Sequence, residues 1–159
     1  MKGSRVVLVM LAVLGFNGAP AAAQLRDTKA LTLEGAKNIV AAAEAEARKN
    51  NWNMAYAVVD AAGDLVLFHK GDGARPSNGE FAMGKARTAA RFQRPTKSLD
   101  STIAAGRIQF LAAQGALPIE GGVPIIVDGK VIGAVGVSGG TSAQDAQVAT
   151  VGIGALAVK

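Results

Sequence analysis

Few side chains in this sequence can do chemistry, and their types restrict what that chemistry can be. His69 is the single histidine, and there is no cysteine. Thiolate catalysis, Fe–S clusters and Cys-ligated zinc are therefore excluded. One imidazole cannot build a zinc site alone, because carboxylates favour harder ions. His69 also has a plainer reading as a surface or hydrogen-bonded residue. No nucleophile in the sequence has an identifiable base. Asp60, Asp64, Asp72 and Glu120 fall near predicted strand ends; two of them could share acid–base work if the fold converged them, which spacing alone does not decide.

Cations are more concentrated. Lys85, Arg87, Arg91, Arg94 and Lys97 fall within thirteen residues that contain no acid. Arg87, Arg91 and Arg94 share a helix face by i, i+4, i+7 spacing. Such a stripe can grip carboxylates in bidentate fashion, although a solvated face, or pairing with acids of a neighbouring subunit, explains the same pattern. Lys85 and Thr88, three apart, can present an amine and a hydroxyl together. Gly139-Gly140-Thr141-Ser142 before a helix offers amides and a positive dipole end to an anion, but helix capping alone accounts for these residues. Neither a Walker pattern nor a Gly-x-Gly-x-x-Gly between strand and helix is present, so nucleotide binding has little support.

The elements that must position these residues follow from periodicity. Thr32 caps a helix with apolar positions at Leu33, Ala36, Ile39, Val40, Ala43 and Ala47, stopped at Asn50-Asn51. Met54–Val59 and Leu65–Phe68 read as strands joined by a turn at 60–63, and residues 70–78 as a loop ending in a cap at Ser77 or Asn78. A second helix runs from about Glu80 to Arg94, where Pro95 ends it. A third, capped by Ser98 or Asp100, carries Ile103, Phe110 and Leu111 to Gly115. Asp128-Gly129 between two apolar runs is a hairpin signal, since a type I′ turn needs positive φ at both positions. Gly133 and Gly136 in the second run suggest close approach of a helix or ligand. Thr141 with Gln144, or Ser142 with Asp145, forms a capping box before a last helix with stripe Ala146, Ala149, Ile153 and Leu156. The order α-β-β-α-α-β-β-α, with a short extra strand expected at Leu117–Ile119, argues for an α+β fold with a mostly antiparallel sheet of about five strands.

The N-terminus reads differently. Lys2 and Arg5 precede an apolar run from Val6 to Phe16, and a small-residue tail ends in Ala21-Ala22-Ala23. This is the pattern of a secretory signal peptide over residues 1–23, with one domain over 24–159 and a periplasmic or secreted destination. The run is too short for a spanning helix, and no second one follows. Of the formal charge of +5, two units belong to the leader, leaving about +3, too mild to imply nucleic acid as a partner.

Several of these segments, taken in order, resemble one family. Gly121-Gly122-Val123-Pro124-Ile125, Asp128-Gly129, Ile132-Gly133-Ala134-Val135-Gly136-Val137-Ser138-Gly139 and Gln144-Asp145 are similar to the signature of the GlcG/HbpS-like family, which includes the C-terminal domain of PduO-type proteins. Asp72-Gly73-Ala74, Ser77 and Lys85-Ala86-Arg87-Thr88-Ala89 resemble its central signature. Lys70-Gly71 stands where relatives often carry Arg-Met.

The resemblance implies a profilin-like domain, homo-oligomers, and haem or other tetrapyrrole binding in some members. His69 is then the only imidazole available as an axial ligand to the metal. Lys85, Thr88 and Arg91 are candidates for holding the cofactor, and Gly121 and Gly122 for leaving room for a flat ligand. That site is expected between the loop from His69 to Asn78, the helix bearing Lys85, and the two glycines. The alternatives are an enzyme or accessory factor acting on a small organic acid, and an oligomeric scaffold without catalysis.

Overall fold

The computed structural model describes residues 28–157. The expected leader and its cut after Ala23 lie outside the described residues. The elements are α1 (Leu33–Lys49), β1 (Ala55–Asp60), β2 (Leu65–Lys70), α2 (Asn78–Phe92), α3 (Thr96–Ala104), a short 3₁₀ helix (Ile108–Ala112), β3 (Gly122–Val127), β4 (Lys130–Ser138) and α4 (Ser142–Gly154). The strands form one sheet in the order β2-β1-β4-β3, with every neighbouring pair antiparallel. The α+β expectation therefore holds, with four strands among the described residues where about five were expected. Leu117–Ile119 is not a strand, because the Leu117 amide donates to the Thr88 hydroxyl at 2.7 Å instead of to a sheet neighbour.

Local chemistry accounts for most element ends. The Thr32 hydroxyl accepts from the Gly35 amide at 3.1 Å at the start of α1, and Arg48 and Lys49 sit in the last turn against the negative dipole end. Asp60 Oδ1 accepts from the Ala62 and Asp64 amides, each at 2.9 Å, fixing the β1–β2 turn. Asp128 and Gly129 both have positive φ, 50° and 72°, as a type I′ hairpin requires. Thr141 and Gln144 form the expected capping box.

Two layers of helix enclose the sheet. Ala36, Ile39, Val40, Ala43 and Ala47 of α1 join Val148 and Ala149 of α4 on one face, against Tyr56, Val58, Val135 and Val137. The other face receives α2 mainly through alanines: Ala82, Ala86, Ala89 and Ala90 lie on Ala55, Ala57, Val59 and Ala134, with Met83 partly buried beside them. Small residues let the backbones approach so closely that a Cβ on Gly136 would overlap Ala82 O and Ala86 N. The glycine in β4 is thus what admits the helix.

Other expectations are corrected. Leu33 is 50% exposed and does not belong to the α1 stripe. The third helix starts directly after Pro95, ahead of the expected caps, and ends at Ala104; Gly106, with φ of 94°, turns the chain before Phe110 and Leu111. Helix α4 buries Asp145, Val148, Ala149 and Gly152, so its inward face is rotated from the expected stripe. The contacts of Asp145 explain that rotation.

Candidate functional site

Lys85 lies on α2 among the alanines of its buried face, and its side chain runs to the end of β4. Its Nζ donates to Asp145 Oδ2 at 2.7 Å and to Val137 O at 3.1 Å. Asp145 Oδ1 accepts from the Gly140 amide at 2.9 Å. Both residues are only 2% exposed. An ion pair taken out of water is tolerable only when its remaining donors and acceptors are met in this way. The pair ties α2 to β4 and to the first turn of α4, and so fixes which face of α4 turns inward.

Gly121 and Gly122 close over this pair. Gly121 has φ of 125°, and a Cβ there would stand 2.8 Å from both Lys85 Nζ and Asp145 Cβ. A Cβ on Gly122 would overlap the carbonyl of Lys85. Thr96 holds the segment in place: its Oγ1 accepts from the Gly122 amide at 2.9 Å and donates to Gly122 O at 3.3 Å. The glycines leave no slot for a flat ligand, because protein atoms occupy the space.

Beside the buried pair opens a cleft of about 250 Å³ between the N-termini of α2 and α4. Arg75, Asn78, Phe81, Ile119, Ser138 and Ser142 form its walls, and Lys85 and Asp145 its floor. Two helix N-termini and one arginine give it a positive character. Asp145 is the one acid in its lining, and Lys85 neutralises it.

The remaining sequence candidates lie elsewhere. Thr88 is 1% exposed; its hydroxyl donates to Gly84 O at 2.8 Å and accepts from Leu117, so it clamps a loop. Arg91 is exposed and its Nε donates to Ala62 O at 3.3 Å, over the β1–β2 turn. Arg94 and Arg107 flank the Phe110 ring, their guanidinium carbons 5.5 and 5.4 Å from its centre. The arginine stripe therefore faces protein as well as water, at the far end of α2 from the cleft.

His69 pairs in register with Tyr56 and stacks on it with ring centres 5.8 Å apart. It therefore lies on the α1 face of the sheet, opposite the face covered by α2. Its Nε2 is 3.6 Å from Glu44 Oε1, too long for a hydrogen bond. Burial is the largest of the effects that raise the Tyr56 phenol pKa to about 12; the Glu44 charge adds to it and Arg48 opposes it.

The fold thus brings Lys85, Gly121 and Gly122 together and keeps His69, Thr88 and Arg91 away from the cleft. Asn78 and Ser138 were the residues least visible in the sequence, one resembling a helix cap and the other the end of an apolar run. Asp145 had a signal, its place in the family-like Gln144-Asp145 pair. Among the described residues no cluster of three or more His, Asp or Glu could hold a metal ion, and no helix is long and apolar enough to cross a membrane.

Comparison with known proteins agrees with this architecture. The family model described as "Haem degrading protein HbpS-like" matches residues 31–154. Protein GlcG of Escherichia coli is 45% identical over 108 residues, covering 68% of this chain and 81% of GlcG. A double mutant of Streptomyces reticuli HbpS has the same fold with a TM-score of 0.79 at 33% identity, over 88% of this chain and 98% of that one. The crystal structure of a PduOC:heme complex matches with a TM-score of 0.75 at 26% identity, over 82% of this chain and 98% of its own. With the family model spanning nearly every described element, the chain belongs to the HbpS-like family.

Proposed function

We propose that this protein binds haem or a related tetrapyrrole after export, as a homo-oligomer, with the His69 imidazole as the axial ligand. The observation that carries the reading is the likeness to PduOC, whose structure was solved as a heme complex. Membership of a family named for HbpS points the same way.

The residues around His69 fit such a group in one respect. Nε2 of His69 is buried and makes no hydrogen bond, so no protein partner competes for it. Tyr56 beneath the ring holds its orientation. Glu44 stands over Nε2 and must swing aside for the nitrogen to coordinate, which a partly exposed side chain can do. Arg48, paired with Glu44 at 3.7 Å and largely exposed, is the cation available there for a propionate. A bound haem would supply an iron with an open axial position. Lys85 is not offered as a propionate partner, since Asp145 and Val137 O already hold its ammonium.

The test is a haem titration of wild type, His69→Ala and Lys85→Ala, followed through the Soret band. The reading predicts a shifted band for wild type, and for His69→Ala both an altered band position and weaker binding. Lys85→Ala should keep the band position. A wild type that leaves micromolar haem unchanged contradicts the reading.

A further inference from the structure

We propose that the cleft between the N-termini of α2 and α4 is a binding site for a small monocarboxylate. The inference does not depend on haem binding, because His69 lies on the other face of the sheet.

Two buried polar side chains carry it. Asn78 and Ser138 are each only 7% exposed, and both line the cleft. Neither side chain makes a hydrogen bond to another described residue, yet neither has an N or O atom fully sealed from solvent without a partner. Their polar atoms therefore open into the cleft. An amide and a hydroxyl left this way inside a fold are costly unless water or a ligand meets them.

Charge selects the ligand class. Both helix N-termini present positive dipole ends, and the exposed Arg75 adds a guanidinium at the rim. The Ser142 amide, in the first turn of α4, donates to no described residue, whereas the capping box already occupies the Thr141 and Gln144 amides. With Asp145 neutralised by Lys85, the lining carries one net positive charge, which suits a monoanion. The planar fork of an arginine matches a carboxylate. Phe81 and Ile119 give one wall an apolar surface for a short carbon chain. A volume of about 250 Å³ lies below the range typical of sites for drug-sized ligands, so the ligand has few heavy atoms.

The experiment is an NMR titration of the full mature chain with acetate, propionate and inorganic phosphate. Amide shifts confined to the cleft lining, at Arg75, Asn78, Ser138, Gly139, Gly140 and Ser142, are expected with the carboxylates. Arg75→Gln, at an exposed position that does not threaten the fold, should weaken propionate at least tenfold, and Asn78→Ala likewise with an unchanged circular dichroism spectrum. Arg75→Lys should recover only part of the loss. Three results would overturn the proposal: no carboxylate response at tens of millimolar, both variants binding as wild type does, or phosphate binding more tightly than either carboxylate.

Discussion

Asp145 Oδ2 stands 2.7 Å from Lys85 Nζ in a pair almost closed to solvent, and this contact joins α2 to α4, sixty residues further along the chain. Removing one partner leaves the other as an uncompensated buried charge, which costs about 3–5 kcal/mol. We therefore expect Lys85→Met to lose about that much stability in urea denaturation. The double variant Lys85→Met with Asp145→Leu should recover most of it. Should the single variant unfold at the wild-type midpoint, the pair is not the structural tie described.

Tyr56 is the one tyrosine, so its ionisation can be followed alone at 295 nm. Burial, with a contribution from Glu44 and opposed by Arg48, pushes its pKa up to about 12. A raised phenol pKa means that the folded state favours the neutral form. Its contribution is fully present below the unfolded value near 10 and is lost as pH rises from about 10 to 12. Titration of the folded protein should show a midpoint well above 10; a midpoint at the free-tyrosine value would mean that the ring is solvated.

Those two sites also show how far the sequence could be read. Helical periodicity locates α1 and α2, each of which buries one face, and continuous apolar runs locate the strands, of which β1 and most of β4 are buried on both faces; Asp128-Gly129 defines its turn by backbone sterics. Helix α4 defeated the same reasoning. A hydrophobic stripe assigns the inward face to apolar residues, whereas here a charged residue, Asp145, turns inward to meet Lys85 from sixty residues away. The third helix was read too long because apolar residues continue beyond Gly106, where positive φ breaks the run. Gly121 and Gly122 do lie against Lys85, but how they pack is not legible in the sequence: the glycines make room for the protein's own ion pair. His69 is close to them only through the loop that follows it in sequence; strand alternation puts it on the other face.

Export and assembly are tested on one sample. Signal-peptidase cleavage after Ala23 predicts that exported protein begins at Gln24, read by N-terminal sequencing. A membrane-retained full-length chain would contradict this. Ile108, Leu111 and Ile126 are each more than half exposed, and such side chains favour self-association when they cluster. Light scattering should give a multiple of the mature mass, and a monomer alone would remove the homo-oligomer.

Glu44 covers the nitrogen assigned to iron, at 3.6 Å. Glu44→Ala should uncover Nε2 and remove a negative charge from the side on which propionates would approach. Haem affinity is expected to rise about three- to tenfold, or roughly 0.7–1.4 kcal/mol. Unchanged or weaker binding would mean that haem does not approach His69 from this side.

The most direct measurement is a crystal structure of the mature protein soaked with haem, with anomalous scattering collected at the iron edge. The proposed function predicts an iron peak within coordination distance of a His69 ring nitrogen, on the α1 face of the sheet. An iron peak in the cleft beside Lys85, or at any position without His69 as ligand, would contradict it.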